Sequence, residues 1–231
     1  MNENEDTGIR INKLLSERGV CSRREADRMA EEGRITVNGK VCAPGTKVRE
    51  SDDIRIDGKP IRKKDRPVLL KFYKPRGIVC STKQQFDETT VTDFIDYPVR
   101  IYPVGRLDKD SEGLLLLTNR GDLVNHILKA SEHHEKEYVV TVDREIDDAF
   151  IRGMQGGVPI LDTVTRKCRA VKTGKRTFRI ILTQGLNRQI RRMCEYFGYH
   201  VTKLKRIRIM DYRLDDMKPG EIREVEIERH E

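Results

Sequence analysis

The sequence predicts an α+β protein in two parts: a small basic module of two helices and short strands, then a larger domain of mixed helices and strands. Three observations carry this. Positive charge is concentrated near the N-terminus: Gly8 to Lys64 hold fifteen Lys and Arg against nine Asp and Glu. The same segment changes from helical to alternating periodicity within thirty residues. After Pro67 the apolar stretches switch repeatedly between the strand period and the helix period.

We set the boundaries at 1–7 for an acidic tail, 8–60 for the first module, 61–67 for a charged linker and 68–231 for the second domain. In the first module, Ile11, Leu14 and Leu15 have helical spacing, and Gly19 can end that helix. Ser22 and Glu25 form an S-x-x-E capping box that opens a second helix. Ala26, Met29 and Ala30 supply its apolar side and Gly33 closes it. "RITVNGKV" alternates and holds Asn38-Gly39, a hairpin turn signal, and "DDIRIDG" is a further short strand.

Arg23, Arg24 and Arg28 fall in the first turns of the second helix, the end where the helix dipole is already positive. Phosphate binding would offset that local cost, since free N–H groups and guanidinium forks both bind anions. The segment resembles the S4 RNA-binding domain over about residues 8 to 60, which implies an RNA-facing helix.

In the second domain "VLLKFYKP" is a buried strand ending at Pro75, and "GLLLLTN" is a second one. "DLVNHILKA" is a short helix that Asp122 could cap. "KEYVVTVD" is a strand, "DDAFIRGM" a helix, and "KCRAVKTGKRTFRIILTQG" two strands around Thr173-Gly174-Lys175. "NRQIRRMCEYFGY" is a helix with Asn187 as N-cap and Gly198 at its end, and "VTKLKRIRIMDYRL" is a last long strand.

Five cysteines, odd in number and without CxxC spacing, argue against a disulfide framework or a zinc site and suit a reducing cytoplasm. The longest apolar run, Leu114–Leu117, is too short to cross a membrane, and "MNENEDTG" is no signal peptide. The net charge of +8 favours a polyanionic partner such as RNA.

Two stretches carry chemistry. In "GRLDKDSEGLLLLTN" three acids, Asp108, Asp110 and Glu112, precede an all-leucine strand; ordinary acids here would be turn or cap residues in water. In the helix of "NRQIRRMCEYFGY", Ile190, Met193, Cys194 and Phe197 make the apolar face. Arg188 and Arg192 point well away from that face, and Arg191 lies at its edge. A half-buried arginine there needs an anion, and either Glu195 or Asp108 could supply it.

"YKPRGIV", "GRLD", "HEKEYVVTV" and "GLNRQIRRMCEYFGY", in order and behind an S4-like module, resemble the pseudouridine synthases of the RsuA/RluB/RluE/RluF group across the whole chain. The last two motifs, with "FIRGMQGGVPI", look most like the large-subunit rRNA branch. The resemblance implies a catalytic domain built on a mainly antiparallel sheet and isomerisation of a uridine in 23S rRNA, with a tRNA uridine as a second candidate. It implies Asp108 as the catalytic aspartate, Tyr138 against the target base, Arg191 paired with the aspartate and Ile190 lining the pocket. We assign the flanking cations Arg106, Lys74, Arg188 and Arg192 to RNA, together with Arg23, Arg24 and Arg28. Such an isomerisation adds and removes no atoms, so no cofactor or metal is expected, and a monomer is. Two alternatives stand beside this reading: a sibling synthase acting on 16S rRNA or another 23S site, and a non-catalytic S4-domain RNA-binding or ribosome-assembly protein.

Overall fold

The computed structural model describes residues 8–62, 65–81, 88–121, 124 and 134–226. The acidic tail and the helix expected over 122–130 lie outside the described residues, apart from Val124. The chain divides into two compact units, Met1–Pro67 with Pro98–Arg100, and Val68–Tyr97 with Ile101–Glu231.

The first unit runs β1 (Ile9–Arg10), α1 (Ile11–Glu17), α2 (Arg23–Glu31), β2 (Ile35–Val37), β3 (Lys40–Val41), β4 (Lys47–Val48), β5 (Ile54–Ile56) and β6 (Lys59–Pro60). Its core joins the apolar sides of both helices, Ile11, Leu14, Leu15, Ala26 and Ala30, to Ile35 and Ile54 from the strands. Ser22 caps α2 by accepting from the Glu25 N–H at 3.2 Å. The expected box is only half made: the Glu25 carboxylate turns to Arg28 at 2.5 Å. Sequence order also hid β6, which pairs with β5 and carries regular structure to the edge of the expected linker.

The second unit is built on one nine-stranded sheet ordered β13-β14-β10-β15-β9-β7-β17, with β8 also on β9 and β16 on β15. The strands are β7 (Leu69–Lys74), β8 (Tyr102–Val104), β9 (Glu112–Thr118), β10 (Lys136–Val142), β13 (Arg169–Gly174), β14 (Thr177–Leu182), β15 (Val201–Ile209), β16 (Tyr212–Arg213) and β17 (Ile222–Glu224). Every pairing among them is antiparallel except β15 with β9, so the sheet is mainly antiparallel as expected. A short hairpin, β11 (Pro159–Ile160) and β12 (Thr163–Val164), and three helices, α3 (Val91–Phe94), α4 (Asp148–Gly156) and α5 (Gln189–Tyr196), complete the described elements. The inward side chains of β10 and β14 pack with α4 and α5 around Val140, Phe150, Phe178, Ile180 and Met193.

Two expectations are corrected. Arg188, not Asn187, is the N-cap of α5, held in a left-handed conformation at φ 49°. The last long strand stops at Ile209, because Met210 also turns left-handed, at φ 49°, and folds the chain back into β16.

Candidate active site

β9 is buried along its whole length, and Leu107 and Ser111 of the segment that leads into it are buried as well. Residues 105–111 connect β8 to β9 and are fastened at three points. Leu107 is buried and its N–H donates to Cys80 Sγ at 3.3 Å. The Ser111 N–H donates to the Asp108 carbonyl at 3.0 Å, closing a turn, and the Gly77 N–H donates to the Lys109 carbonyl at 2.8 Å. The turn presents the Asp108 carboxylate on the wall of a cleft of about 1010 Å³, which Tyr138, Arg188, Ile190, Lys136 and Arg206 also line.

The single parallel pairing of the sheet explains one residue of the motif. Arg206 of β15 lies opposite Gly113. A Cβ on Gly113 would stand 2.2 Å from the Arg206 carbonyl oxygen, and its φ is +107°. Only glycine meets both conditions.

Two guanidinium groups face Asp108. Arg188 Nη1 lies 3.7 Å from Oδ2 and Arg191 Nε lies 3.9 Å from it. Arg188 is exposed, whereas Arg191 is buried and donates to the Asp110 carbonyl, Ser111 Oγ and the Val201 carbonyl at 3.3 Å each. Burial pushes the Arg191 pKa down, as does the Arg188 charge, while the Asp108 charge opposes them. Nε of Arg191 has no hydrogen-bond partner, so a shift of the carboxylate by about 1 Å would complete the pair. Glu195, the other partner weighed for Arg191, is exposed.

Other expectations fare differently. Tyr138 sits half-buried on β10 between Ile180 and Arg206 of the flanking strands, on the side that faces the cleft. Ile190 is buried and reaches the cleft from α5. Arg106 is exposed at the rim. Arg192 turns back on its own helix start and donates to the Asn187 carbonyl at 3.2 Å. Asp110 is an exposed turn residue, as the spacing suggested, but Glu112 is not. Glu112 opens β9, is buried, accepts from the Tyr73 hydroxyl at 3.4 Å and pairs with Lys203 at 3.2 Å. Burial and the Glu112 charge push the Tyr73 hydroxyl up to about 12.

Lys74 requires correction. It is fully buried and cannot reach RNA from this position; its Nζ donates to the Pro75 and Ser111 carbonyls at 2.9 Å each. It is a support beneath the Asp108 turn, and burial pushes its pKa down. Arg28 is also compromised as a phosphate ligand, since Glu25 and Glu32 flank it at 2.5 and 3.8 Å. Arg23 and Arg24 are exposed and form no ion pair among the described residues.

Sequence reasoning missed Arg206, Lys136 and Ser111. Arg206 is 3% exposed, donates from Nε to the Leu114 carbonyl at 2.7 Å and from Nη1 to the Arg106 carbonyl at 3.4 Å, and so ties both ends of the Asp108 loop to β15. The available signal was its place two residues after Leu204 in an alternating strand, where a charge on the inward face demands a reason.

Both parts of the chain resemble known proteins. A family described as RNA pseudouridylate synthase matches residues 68–196, and the S4 domain matches residues 9–54. The dual-specificity RNA pseudouridine synthase RluF of Salmonella typhi is 55% identical over 222 residues, which cover 95% of this chain and 76% of that protein. The ribosomal large subunit pseudouridine synthase B of Bacillus subtilis is 37% identical over 94% of this chain and 91% of that protein. A crystal structure of a pseudouridylate synthase superposes with a TM-score of 0.70 at 25% identity, covering 94% of this chain and 96% of the other. With an S4 domain ahead of a synthase domain, the chain belongs to the RNA pseudouridine synthase family and is a pseudouridine synthase acting on RNA.

Proposed function

We propose that this enzyme isomerises a uridine of 23S rRNA, and a tRNA uridine as a second substrate, with Asp108 as the catalytic carboxylate. The observation that carries the assignment is an acidic side chain on the wall of the cleft, faced by two guanidinium groups at 3.7 and 3.9 Å. The names of the relatives, one a large-subunit synthase and one dual-specific, support the ribosomal substrate and a second RNA.

Pseudouridine formation breaks the N1–C1′ bond, turns the base and rejoins it through C5. The target nucleotide must leave its stack, at a cost of a few kcal/mol that phosphate contacts offset. Asp108 then either attacks C1′ or takes a proton from C2′, and both routes need an ionised carboxylate held at the sugar. Arg191 and Lys74 hold its turn from behind, while Arg188 approaches the carboxylate from the exposed side. Tyr138 and Ile190 supply the surface against which the uracil lies. Arg23 and Arg24 bind backbone phosphates and take no part in the chemistry.

The test is pseudouridine mapping of rRNA and tRNA from cells with and without the gene, with restoration by the wild-type gene and by Asp108→Asn. Sites that vanish on deletion and return only with the wild-type gene support the assignment. Loss of no 23S site would refute the ribosomal substrate, and restoration by Asp108→Asn would refute the carboxylate's role.

A further inference from the structure

The floor of the cleft carries positive charge that Asp108 does not use. Arg206 and Lys136 both line it, on the strands that flank and carry Tyr138. Arg206 lies directly opposite Tyr138, a register that sets their Cβ atoms about 5 Å apart on one face of the sheet. Lys136 is two residues before Tyr138 on β10 and therefore on that same face. Among the described residues neither cation has an acidic partner. Arg206 Nη2 is buried with no hydrogen-bond partner at all, and the Lys136 amine has only the His134 carbonyl at a long 3.4 Å.

A buried and a half-buried cation without anions are costly, so the missing negative charge is expected from the substrate. Burial and the charge of Arg206 push the Lys136 pKa down, which places the two in each other's field. A phosphate could supply the charge, but the two cations surround the tyrosine proposed to lie against the base.

We propose that Lys136 and Arg206 hold the negative charge that develops on the uracil when its glycosidic bond breaks. This rests on the function proposed above. In that step the N1–C1′ bond breaks heterolytically and both electrons leave with N1. The sugar carbon is taken by the Asp108 carboxylate as an ester, or its C2′ proton is transferred to Asp108. The detached base is then a uracil monoanion, with charge shared by N1, O2 and O4. Donors aimed at those carbonyl oxygens stabilise the anion more than the neutral nucleoside, which is what lowers a barrier. When C5 later bonds to C1′, the electron pair of the anion forms the new bond while the Asp108 carboxylate leaves C1′ or returns its proton to C2′. The C5 proton then goes to solvent, N1 takes one up, and the neutral ring no longer holds the cations.

Leaving-group chemistry gives the test. A 5-fluoro substituent stabilises the uracil anion by itself, so it partly replaces what the cations supply. Single-turnover loss of the starting nucleoside at saturating RNA, the event that N1–C1′ cleavage and rejoining through C5 share on both substrates, is followed by chromatography of the digested nucleosides, for RNA carrying uridine or 5-fluorouridine at the target. The fluorinated base, without a C5 hydrogen, stops at the rearranged C5 glycoside. Lys136→Met should slow conversion of uridine about 10²-fold, the usual effect of one lost oxyanion donor, with RNA affinity kept. On 5-fluorouridine the same variant should show a smaller deficit. Arg206→Lys, which preserves one donor to the loop carbonyls, should follow the same pattern. Lys205→Met, on the opposite face of β15, should match the wild type on both substrates. Equal deficits on the two substrates, or a Lys136→Met rate equal to wild type, would overturn the inference while leaving the proposed function standing. A wild-type enzyme that converts neither substrate would bring down both.

Discussion

Arg188 Nη1 stands 3.7 Å from Asp108 Oδ2, at the left-handed N-cap of α5. An ideal-helix projection turned Arg188 away from the site, but its φ of 49° lies outside the helix and swings the side chain back. Asp108 thus has one exposed and one buried guanidinium, and the two should separate on mutation. Arg188→Ala should lower turnover with little effect on melting temperature, because exposed ion pairs contribute at most about 1 kcal/mol to stability. Arg191→Ala should lower both, since it strips the Asp110 and Val201 carbonyls and Ser111 Oγ of a buried donor. A destabilisation of about 3 kcal/mol is expected, read by denaturant unfolding. Equal unfolding curves for the two variants would contradict the geometry.

Gly113 offers a test of backbone crowding. Gly113→Ala places a methyl 2.2 Å from the Arg206 carbonyl oxygen at a φ of +107°. The β9–β15 pairing must spread, and Arg206 loses its hold on the loop. We expect a loss of more than about 2 kcal/mol in stability and a sharp fall in turnover. Gly39→Ala, at a position with no atom within 4 Å of the added methyl, isolates the φ penalty alone and should cost about 1 kcal/mol.

Much of this site was legible in sequence, for physical reasons that also explain the gaps. The run Leu114–Leu117 can only be a buried strand, so the acids before it had to stand at a strand mouth. The apolar face of α5 placed Arg191 correctly at a buried edge, because helical periodicity is a local property. Arg206 and Lys136 were missed because their role depends on strand order: alternation along β15 could mark Arg206 as inward-facing, but β15 is inserted between β10 and β9, and no local pattern reports what it meets there. Lys74 was misjudged for the same reason. It was grouped with the flanking cations, but β9 and the Asp108 turn close over it. Glu112 was likewise counted in the loop, whereas pairing with β15 begins at that residue.

The outer face of the sheet carries a pH-dependent part of the stability. Glu137 is buried and accepts from Arg208 at 2.9 Å and from Arg179. Burial raises its pKa, but the two arginines outweigh this and leave it below the usual carboxylate value. A folded pKa below the unfolded one means that the unfolded chain binds more protons as pH falls. The stabilisation is therefore complete above about pH 4.3, the unfolded glutamate value, and is lost as pH falls through the folded pKa. Glu137→Gln should melt well below wild type at pH 7, and the gap should narrow in acid. A gap that does not change with pH would show that packing, and not charge, holds Glu137.

The S4 domain should contribute affinity without chemistry. Arg23 and Arg24 are exposed at the start of α2, with free N–H groups of the first turn beside them. Arg23→Ala with Arg24→Ala should weaken RNA binding and reduce the log–log salt slope by roughly 0.7–0.9 per lost phosphate contact. The single-turnover rate at saturating RNA should be unchanged. Arg28→Ala should alter the slope less, because Glu25 and Glu32 already neutralise that side chain. A salt slope unaffected by the double substitution would remove these arginines from the interface.

The decisive substitution is at Asp108. Its backbone carbonyl closes the turn to Ser111 and its side chain makes no contact that the fold requires, so Asp108→Asn should fold and bind RNA as wild type does. The amide keeps the size and a hydrogen-bonding head but lacks the negative charge. It can neither attack C1′ nor take a proton from C2′. The loss should therefore exceed the ~10²–10⁴-fold that general acid–base assistance alone contributes. Asp110→Asn is the matched control, since that carboxylate is exposed on the same turn and only its backbone carbonyl is used, by Arg191. Release of tritium from RNA carrying 5-³H-uridine reads the outcome, because forming the C5 glycosidic bond expels that hydrogen. Residual release by Asp108→Asn within about tenfold of wild type is too much for a lost essential group and would move the catalytic carboxylate elsewhere in the cleft.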